Sequence, residues 1–183
     1  MSKQRIILGI DPGTVIMGFG VVKQVREHVE ILHYESIHLS TYATHALKLQ
    51  KIFQHTLCLV KAWEPDEVAL EAPFYGKNVQ AMLKLGRAQG VAMAAALARE
   101  VSITEYAPRK VKQAITGNGH ASKEQVAQML AKMLRWPDLP GQPDATDALA
   151  VAVCHAYQDG KVTASPCTWG QWLQKNPTRM MKS

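Results

Sequence analysis

Two short, wholly apolar runs that each end in a carboxylate constrain this chain most. They are Ile6 to Ile10, ending at Asp11, and Val68-Ala69-Leu70, ending at Glu71. Short runs without polar alternation suit strands buried on both faces, and such strands need a sheet covered by helices on each side. Pro12-Gly13 turns the chain after the first run, and Pro73 closes the second. Between them, residues 17–25 and 29–38 read as two more strands, the latter alternating through Ile31, His33, Glu35 and Ile37. Ala46, Leu49, Phe53, Leu57 and Val60 then recur at helical spacing before Pro65.

The second half is mostly helical. A long helix is predicted over residues 78–100 with two apolar or small stripes. One holds Val79, Leu83, Gly86, Gly90, Met93 and Leu97, the other Ala81, Leu85, Ala88, Ala92 and Ala96. One stripe can cover a sheet while the other meets something else. Residues 102–106 form a fifth short strand. Pro108 sits where a first-turn proline would, opening a helix that stops at Gly117-Asn118-Gly119. Ser122 with Gln125 has the spacing of a capping box and starts a helix that ends before Pro137. Pro143 opens the last helix, through Asp147, Leu149, Val151 and Val153.

The order β-β-β-α-β-α-β-α-α-α suits an α/β fold with a mixed five-stranded sheet flanked by helices. It occupies one domain, residues 1–162, with a loosely ordered tail over 163–183. If the first and fourth strands lie parallel, their carboxyl ends open on the same side, where α/β sheets place their sites. That brings Asp11 beside Glu71.

With 183 residues, 47% of them hydrophobic, the chain can bury a substantial core. Its 21 Lys and Arg against 15 Asp and Glu, a net charge of +6, favour a polyanionic partner. The three cysteines, Cys58, Cys154 and Cys167, have no CxxC spacing, which argues for a reducing compartment and against a zinc knuckle. The apolar run at the N-terminus is too short for a signal peptide, and no stretch is long enough to span a membrane. A cytoplasmic protein is expected.

Asp144 and Asp147, three apart, share a face of the last helix. With Asp11 and Glu71 they make a set of four carboxylates whose mutual repulsion calls for a cation. An all-oxygen donor set suits Mg²⁺ or Mn²⁺ rather than zinc. Two ions roughly 4 Å apart could activate a water and stabilise a leaving 3′-oxygen, with Asp11 as the candidate bridging ligand. Individually these acids have plainer readings: a first-turn Asp pair complements the helix dipole, and Asp before Pro-Gly suits a turn. Taken together they support metal-assisted phosphodiester chemistry without naming a substrate.

The blocks GIDPGT with GFGVV, VALEAPFYGKNVQAMLKLGRAQGV, YAPRKVKQAITGNGHASKEQV and DATDALAVAVCH run in order from about residue 5 to 157. They resemble the successive blocks of the RuvC family of crossover junction endodeoxyribonucleases. The resemblance implies a ribonuclease H-like fold and a homodimer that binds four-way Holliday junctions. It also implies paired nicks in two strands of like polarity, leaving ends that ligase can seal. It carries the catalytic acids onto Asp11, Glu71, Asp144 and Asp147; some relatives have His at the position matching Asp144, which makes Asp147 the firmer ligand. Lys112 and Lys123 match basic residues near the active site, where they would hold the scissile phosphate. Phe74 matches an aromatic that could stack on an unpaired base. The long helix, with Gly86, Gly90 and Ala94 at four-residue spacing, is implied in the dimer contact, and cooperation with the RuvA–RuvB branch-migration machinery follows too.

Lys77, Lys84, Arg87, Arg109 and Lys110 are further candidates for phosphate contacts. His155 reads as a packed or surface residue. Two other readings stay open at this point. One is an actin-like or sugar-kinase-type ATP-binding fold, because GIDPGT also resembles the first phosphate loop of those proteins. The other is a junction-binding module whose cleavage is weak or controlled by partners.

Overall fold

The first strand, β1 (Gln4–Asp11), lies at the centre of a five-stranded sheet, as its unbroken apolar run requires. β2 (Ile16–Val25) and β3 (His28–His38) continue from it as an antiparallel meander. β4 (Glu67–Glu71) pairs with β1 in parallel from Ile7↔Glu67 to Ile10↔Leu70. β5 (Ser102–Tyr106) pairs with β4 in parallel, giving the order β3-β2-β1-β4-β5. These elements come from a computed structural model that describes residues 4–73, 78–136 and 142–158. Phe74, Lys77 and the expected tail over 163–183 lie outside the described residues.

The alternation read for β3 needs one correction. The register shifts between Val21↔His33 and Val22↔Ile31, so Leu32 is an extra residue in a β-bulge. Ile31 therefore packs with one layer of the core while Ile37 is buried in the other. The expected period of two runs only through His33, Glu35 and Ile37.

Among the described residues, five helices cover the two faces. On one side are α1 (His45–Trp63) and α2 (Val79–Leu97), which pack over Leu8, Ile10, Val68 and Leu70. α1 starts at Thr44, whose hydroxyl accepts from the Leu47 N–H, and ends in Glu64 at φ 44. α2 starts at Asn78, whose side chain accepts from the Ala81 N–H. Its alanine stripe, Ala88, Ala92 and Ala96, is buried against the sheet. The other stripe faces outward: Val79 is 65%, Leu83 51% and Leu97 56% exposed, and a β-carbon at Gly86 or Gly90 would meet nothing within 4 Å.

On the opposite side are α3 (Pro108–Thr116), α4 (Lys123–Met133) and α5 (Pro143–Tyr157). The expected caps are present: Pro108 and Pro143 open their helices, Gly117 ends α3 at φ 75, and Ser122 and Gln125 form a reciprocal capping box on α4. α5 is buried on nearly every face from Ala145 to Ala156, as an apolar helix at the middle of a layer must be. Leu149, Val151 and Val153 are wholly buried, each contributing roughly 1.5–3 kcal/mol. No helix among the described residues is long and apolar enough to cross a membrane. Cys58 and Cys154 are free thiols.

Candidate active site

Strand geometry decides where the acids point. Side chains alternate along a strand, so Asp11 shares a sheet face with Gly9 and Ile7, and Glu71 shares it with Ala69. The parallel register sets Ile10 beside Leu70, which leaves Asp11 and Glu71 at adjoining strand ends on the face that carries α5. Asp147 and Asp144 reach this point because α5 lies unusually close to the sheet. A β-carbon on Gly18 would fall inside the Asp144 carbonyl, and one on Gly9 would collide with the Ala148 carbonyl oxygen and approach Ala152 Cβ at 2.8 Å. One on Gly20 would sit 2.9 Å from Leu149. Gly9 pairs with Gly20, and Gly18 pairs with Asp11 itself. These three glycines form a floor without side chains, and α5 rests on it directly.

Asp11, Glu71 and Asp147 line one cleft of about 90 Å³ together with Lys112, Lys123, Pro108, Val111, Val126 and Ala150. It has room for a few waters or small ions but not for a nucleotide. Asp144 is not in that lining, though its charge still acts on Asp11, more weakly than those of Glu71 and Asp147. A roomier groove, about 510 Å³ along Gln128, Ala131 and Lys132 of α4 and Arg135 just beyond it, has no acid or nucleophile among the described residues of its lining. Size does not mark the chemistry in this protein.

The cleft is electrostatically tense. Burial, and then the charges of Glu71 and Asp147, push the Asp11 carboxyl from 3.8 up to about 8. Burial and Asp147 raise Glu71 in the same way, with Lys123 and Lys112 opposing the shift. Lys123 answers part of the repulsion: its Nζ donates to Asp147 Oδ2 at 2.5 Å, a bond that raises the lysine's own pKa. A largely buried carboxylate cluster with one lysine bonded to it and a second nearby remains short of positive charge. The donors are all oxygen, the set that hard divalent cations prefer.

The expected site residues are thus partly brought together. Asp11, Glu71, Asp147, Lys112 and Lys123 converge in one cleft with Asp144 beside them. Lys84 and Arg87 lie exposed on α2, away from that lining. Arg109 is exposed, with its side chain against the Gly119 loop, and Lys110 lies over the Tyr106 ring, its Nζ 5.3 Å from the centroid. Sequence reasoning missed the glycine floor. Its signal was present as glycines two apart in GFG on β2 and one opposite in β1, but only the strand pairing shows that they share a face.

A family model described as "Crossover junction endodeoxyribonuclease RuvC" matches residues 7–155. A protein of that description from Christiangramia forsetii is 54% identical over 182 residues, covering 98% of this chain and 95% of its own. Another, from Bacteroides fragilis, is 53% identical, covering 97% of each. Among solved structures, Thermus thermophilus RuvC in complex with a Holliday junction substrate is similar with a TM-score of 0.78 at 33% identity, covering 84% of this chain and 93% of that one.

Proposed function

The chain belongs to the RuvC family of crossover junction endodeoxyribonucleases; it is a DNA-cleaving hydrolase that resolves Holliday junctions, and we propose that the carboxylate cleft is where it cuts. The observation that carries this assignment is the convergence of Asp11, Glu71 and Asp147 in one cleft, where burial and then the neighbouring acids push the Asp11 carboxyl up to about 8. The family's chemistry is metal-dependent, and the oxygen-only donors fit Mg²⁺ or Mn²⁺. Asp11, Glu71 and Asp147 would hold the ions, and Asp144 would complete the set. Two such ions, when bound, supply an activated water and charge stabilisation for the leaving 3′-oxygen.

The protein's own groups do the rest. Asp11, whose carboxyl feels the charge of all three other acids, would hold metal at the centre of the cluster. Lys112 and Lys123 flank the cleft and hold the scissile phosphate as its charge builds. Lys123 is suited to this because its side chain is 68% exposed while its tip lies at the acids. Phe74, Lys77, Lys84, Arg87, Arg109 and Lys110 are assigned to the DNA surface on sequence grounds. Lys110 extends its ammonium over Tyr106, so its phosphate contact would begin from that position.

Two cuts need two sites. The exposed stripe of α2 supports a homodimer in which the same stripe meets its copy, and a two-fold dimer matches the two-fold symmetry of an open junction. Leu83→Glu on that stripe is expected to shift the protein toward monomer by at least tenfold in dissociation constant. Analytical ultracentrifugation would show the shift, and the two nicks would lose their concerted timing. Cooperation with RuvA–RuvB and a cytoplasmic location follow from family membership and the DNA substrate. The nuclease domain is assigned to residues 1–162, which contain the family match over 7–155, with 163–183 as its tail.

Nick mapping on an end-labelled mobile four-way junction with Mg²⁺ tests the reading. One cut in each of two strands of like polarity is expected, symmetric about the centre, with ligase-sealable products and an intact linear duplex of the same sequence. Equal cutting of the linear duplex would defeat it.

A further inference from the structure

The described residues hold a second polar cluster, partly buried under α5 at the other end of the same sheet face. Glu67 Oε2 accepts from Arg5 Nη1 at 2.9 Å and from His155 Nε2 at 2.6 Å. With Nε2 donating, His155 Nδ1 is left as the acceptor for the Tyr106 hydroxyl at 2.8 Å. Arg5 also donates from Nη2 to the Ala156 carbonyl at 3.0 Å and from Nε to Gln24 Oε1 at 2.6 Å, and Gln24 Nε2 donates to the same carbonyl at 2.9 Å. The chain of bonds therefore joins β1, β2, β4, β5 and α5. Burial lowers the His155 pKa, in keeping with a neutral ring whose two nitrogens play opposite parts.

None of these side chains lines the catalytic cleft. Their connection with it is mechanical. Asp147 and His155 stand on the same helix, eight residues apart, a little over two turns. Tyr106 is the register partner of Glu71, and its carbonyl accepts from the Ala72 N–H at 2.8 Å, just past that glutamate. The floor of Gly9, Gly18 and Gly20 fixes how close α5 comes to the sheet, but at these three positions no side chain of the sheet interlocks with the helix to resist sliding along its axis. Directional hydrogen bonds do offer that stop. A slip of one residue moves Asp147 by about 1.5 Å relative to Asp11 and Glu71, enough to spoil a coordination shell.

We propose that the Arg5–Glu67–His155–Tyr106 network is a positioning device that sets the axial register of α5 and so the separation of Asp147 from Asp11 and Glu71. This rests on the cleft being the metal site. Tyr106 and His155 act through the helix and the strand, and touch neither substrate nor ion.

Tyr106→Phe removes one hydrogen bond while keeping the ring and its packing; Glu67→Leu removes the hub. Thr44→Ala, which uncaps α1 on the opposite face, serves as a variant destabilised elsewhere. The measurements are Mn²⁺ binding by calorimetry, the Mg²⁺ concentration for half-maximal cleavage, junction affinity without divalent ions, and melting temperature. Tyr106→Phe is expected to weaken Mn²⁺ binding and raise the half-saturating Mg²⁺ about fivefold, with junction affinity within twofold of wild type. Glu67→Leu should do more if it folds, and Thr44→Ala should lower the melting temperature with metal binding unchanged. Metal binding by Tyr106→Phe within twofold of wild type would overturn the proposal, whatever its melting temperature. Equal weakening in Thr44→Ala would overturn it too, by tracing the effect to stability alone. Absence of Mn²⁺ binding by the wild type would instead bring down the metal-site reading beneath it.

Discussion

Replacing Gly18 with alanine is expected to abolish most of the cleavage activity while leaving the catalytic residues unchanged. The new methyl group would fall within the Asp144 carbonyl and 3.0 Å from the Ala145 nitrogen. All of those atoms are backbone, so no side chain can swing aside. α5 has to lift, and it carries two of the four acids. A displacement of about 1 Å at a reacting centre can cost on the order of 100-fold in rate. Forcing the helix off the sheet should also cost about 1–3 kcal/mol of stability, as overpacking of a dense core does. Gly9→Ala meets the Ala148 carbonyl in the same way and should behave alike. Gly20→Ala should be milder, because two of its three nearest atoms belong to the Leu149 side chain, which has some freedom to turn. Cleavage rates and melting temperatures of the three variants would show that order. Wild-type rates in Gly18→Ala would mean that close contact between α5 and the sheet does not place the acids.

The second large effect has the opposite sign for stability. Asp11→Asn should make the metal-free protein more stable, although it removes a catalytic group. An unfolded aspartate loses its proton near 4, whereas the folded carboxyl keeps it up to about 8. Between those values the folded state binds more protons than the unfolded one, so wild-type stability falls as pH rises through that window. Asparagine does not titrate and escapes this loss. A tenfold difference in proton affinity between the folded and unfolded states is worth about 1.4 kcal/mol, so the variant's advantage near pH 8 should be on the order of a few kcal/mol, or several degrees in melting temperature. The advantage should shrink toward pH 5. Added Mg²⁺ should also shrink it, since the ion supplies the missing positive charge in the wild type. Thermal melts at pH 5, 7 and 8, with and without Mg²⁺, give the comparison. An Asp11→Asn protein several degrees less stable than wild type at pH 8 would show that Asp11 is a structural hydrogen-bonding group and not part of a strained cluster.

Much of this site could be read from the sequence because its determinants are local. Apolar runs ending in Asp11 and Glu71 mark strand ends, Pro108 and Pro143 mark helix starts, and Ser122 with Gln125 fixes where α4 begins and hence where Lys123 stands. The features that escaped depend on pairing between distant segments. Gly9, Gly18 and Gly20 become a floor only once β1 and β2 are in register. The bulge at Leu32 shows no local signature, and it redirects Ile31 to the other core layer. His155 looks like an ordinary packed residue until Glu67 and Tyr106, 88 and 49 residues away in sequence, are seen on either side of its ring. Lys110 reads as a phosphate ligand by charge alone, while its place over Tyr106 depends on how α3 leaves β5.

Cleavage in the cleft that holds Asp11 should be separable from junction binding. Both events can be followed on one labelled four-way junction, with wild type and Asp11→Asn side by side in Mg²⁺. Paired nicks are expected from the wild type and binding of similar affinity from the variant, with cleavage reduced by at least about three orders of magnitude. An Asp11→Asn protein that binds and still cuts at a comparable rate would contradict the assignment of the chemistry to this cleft.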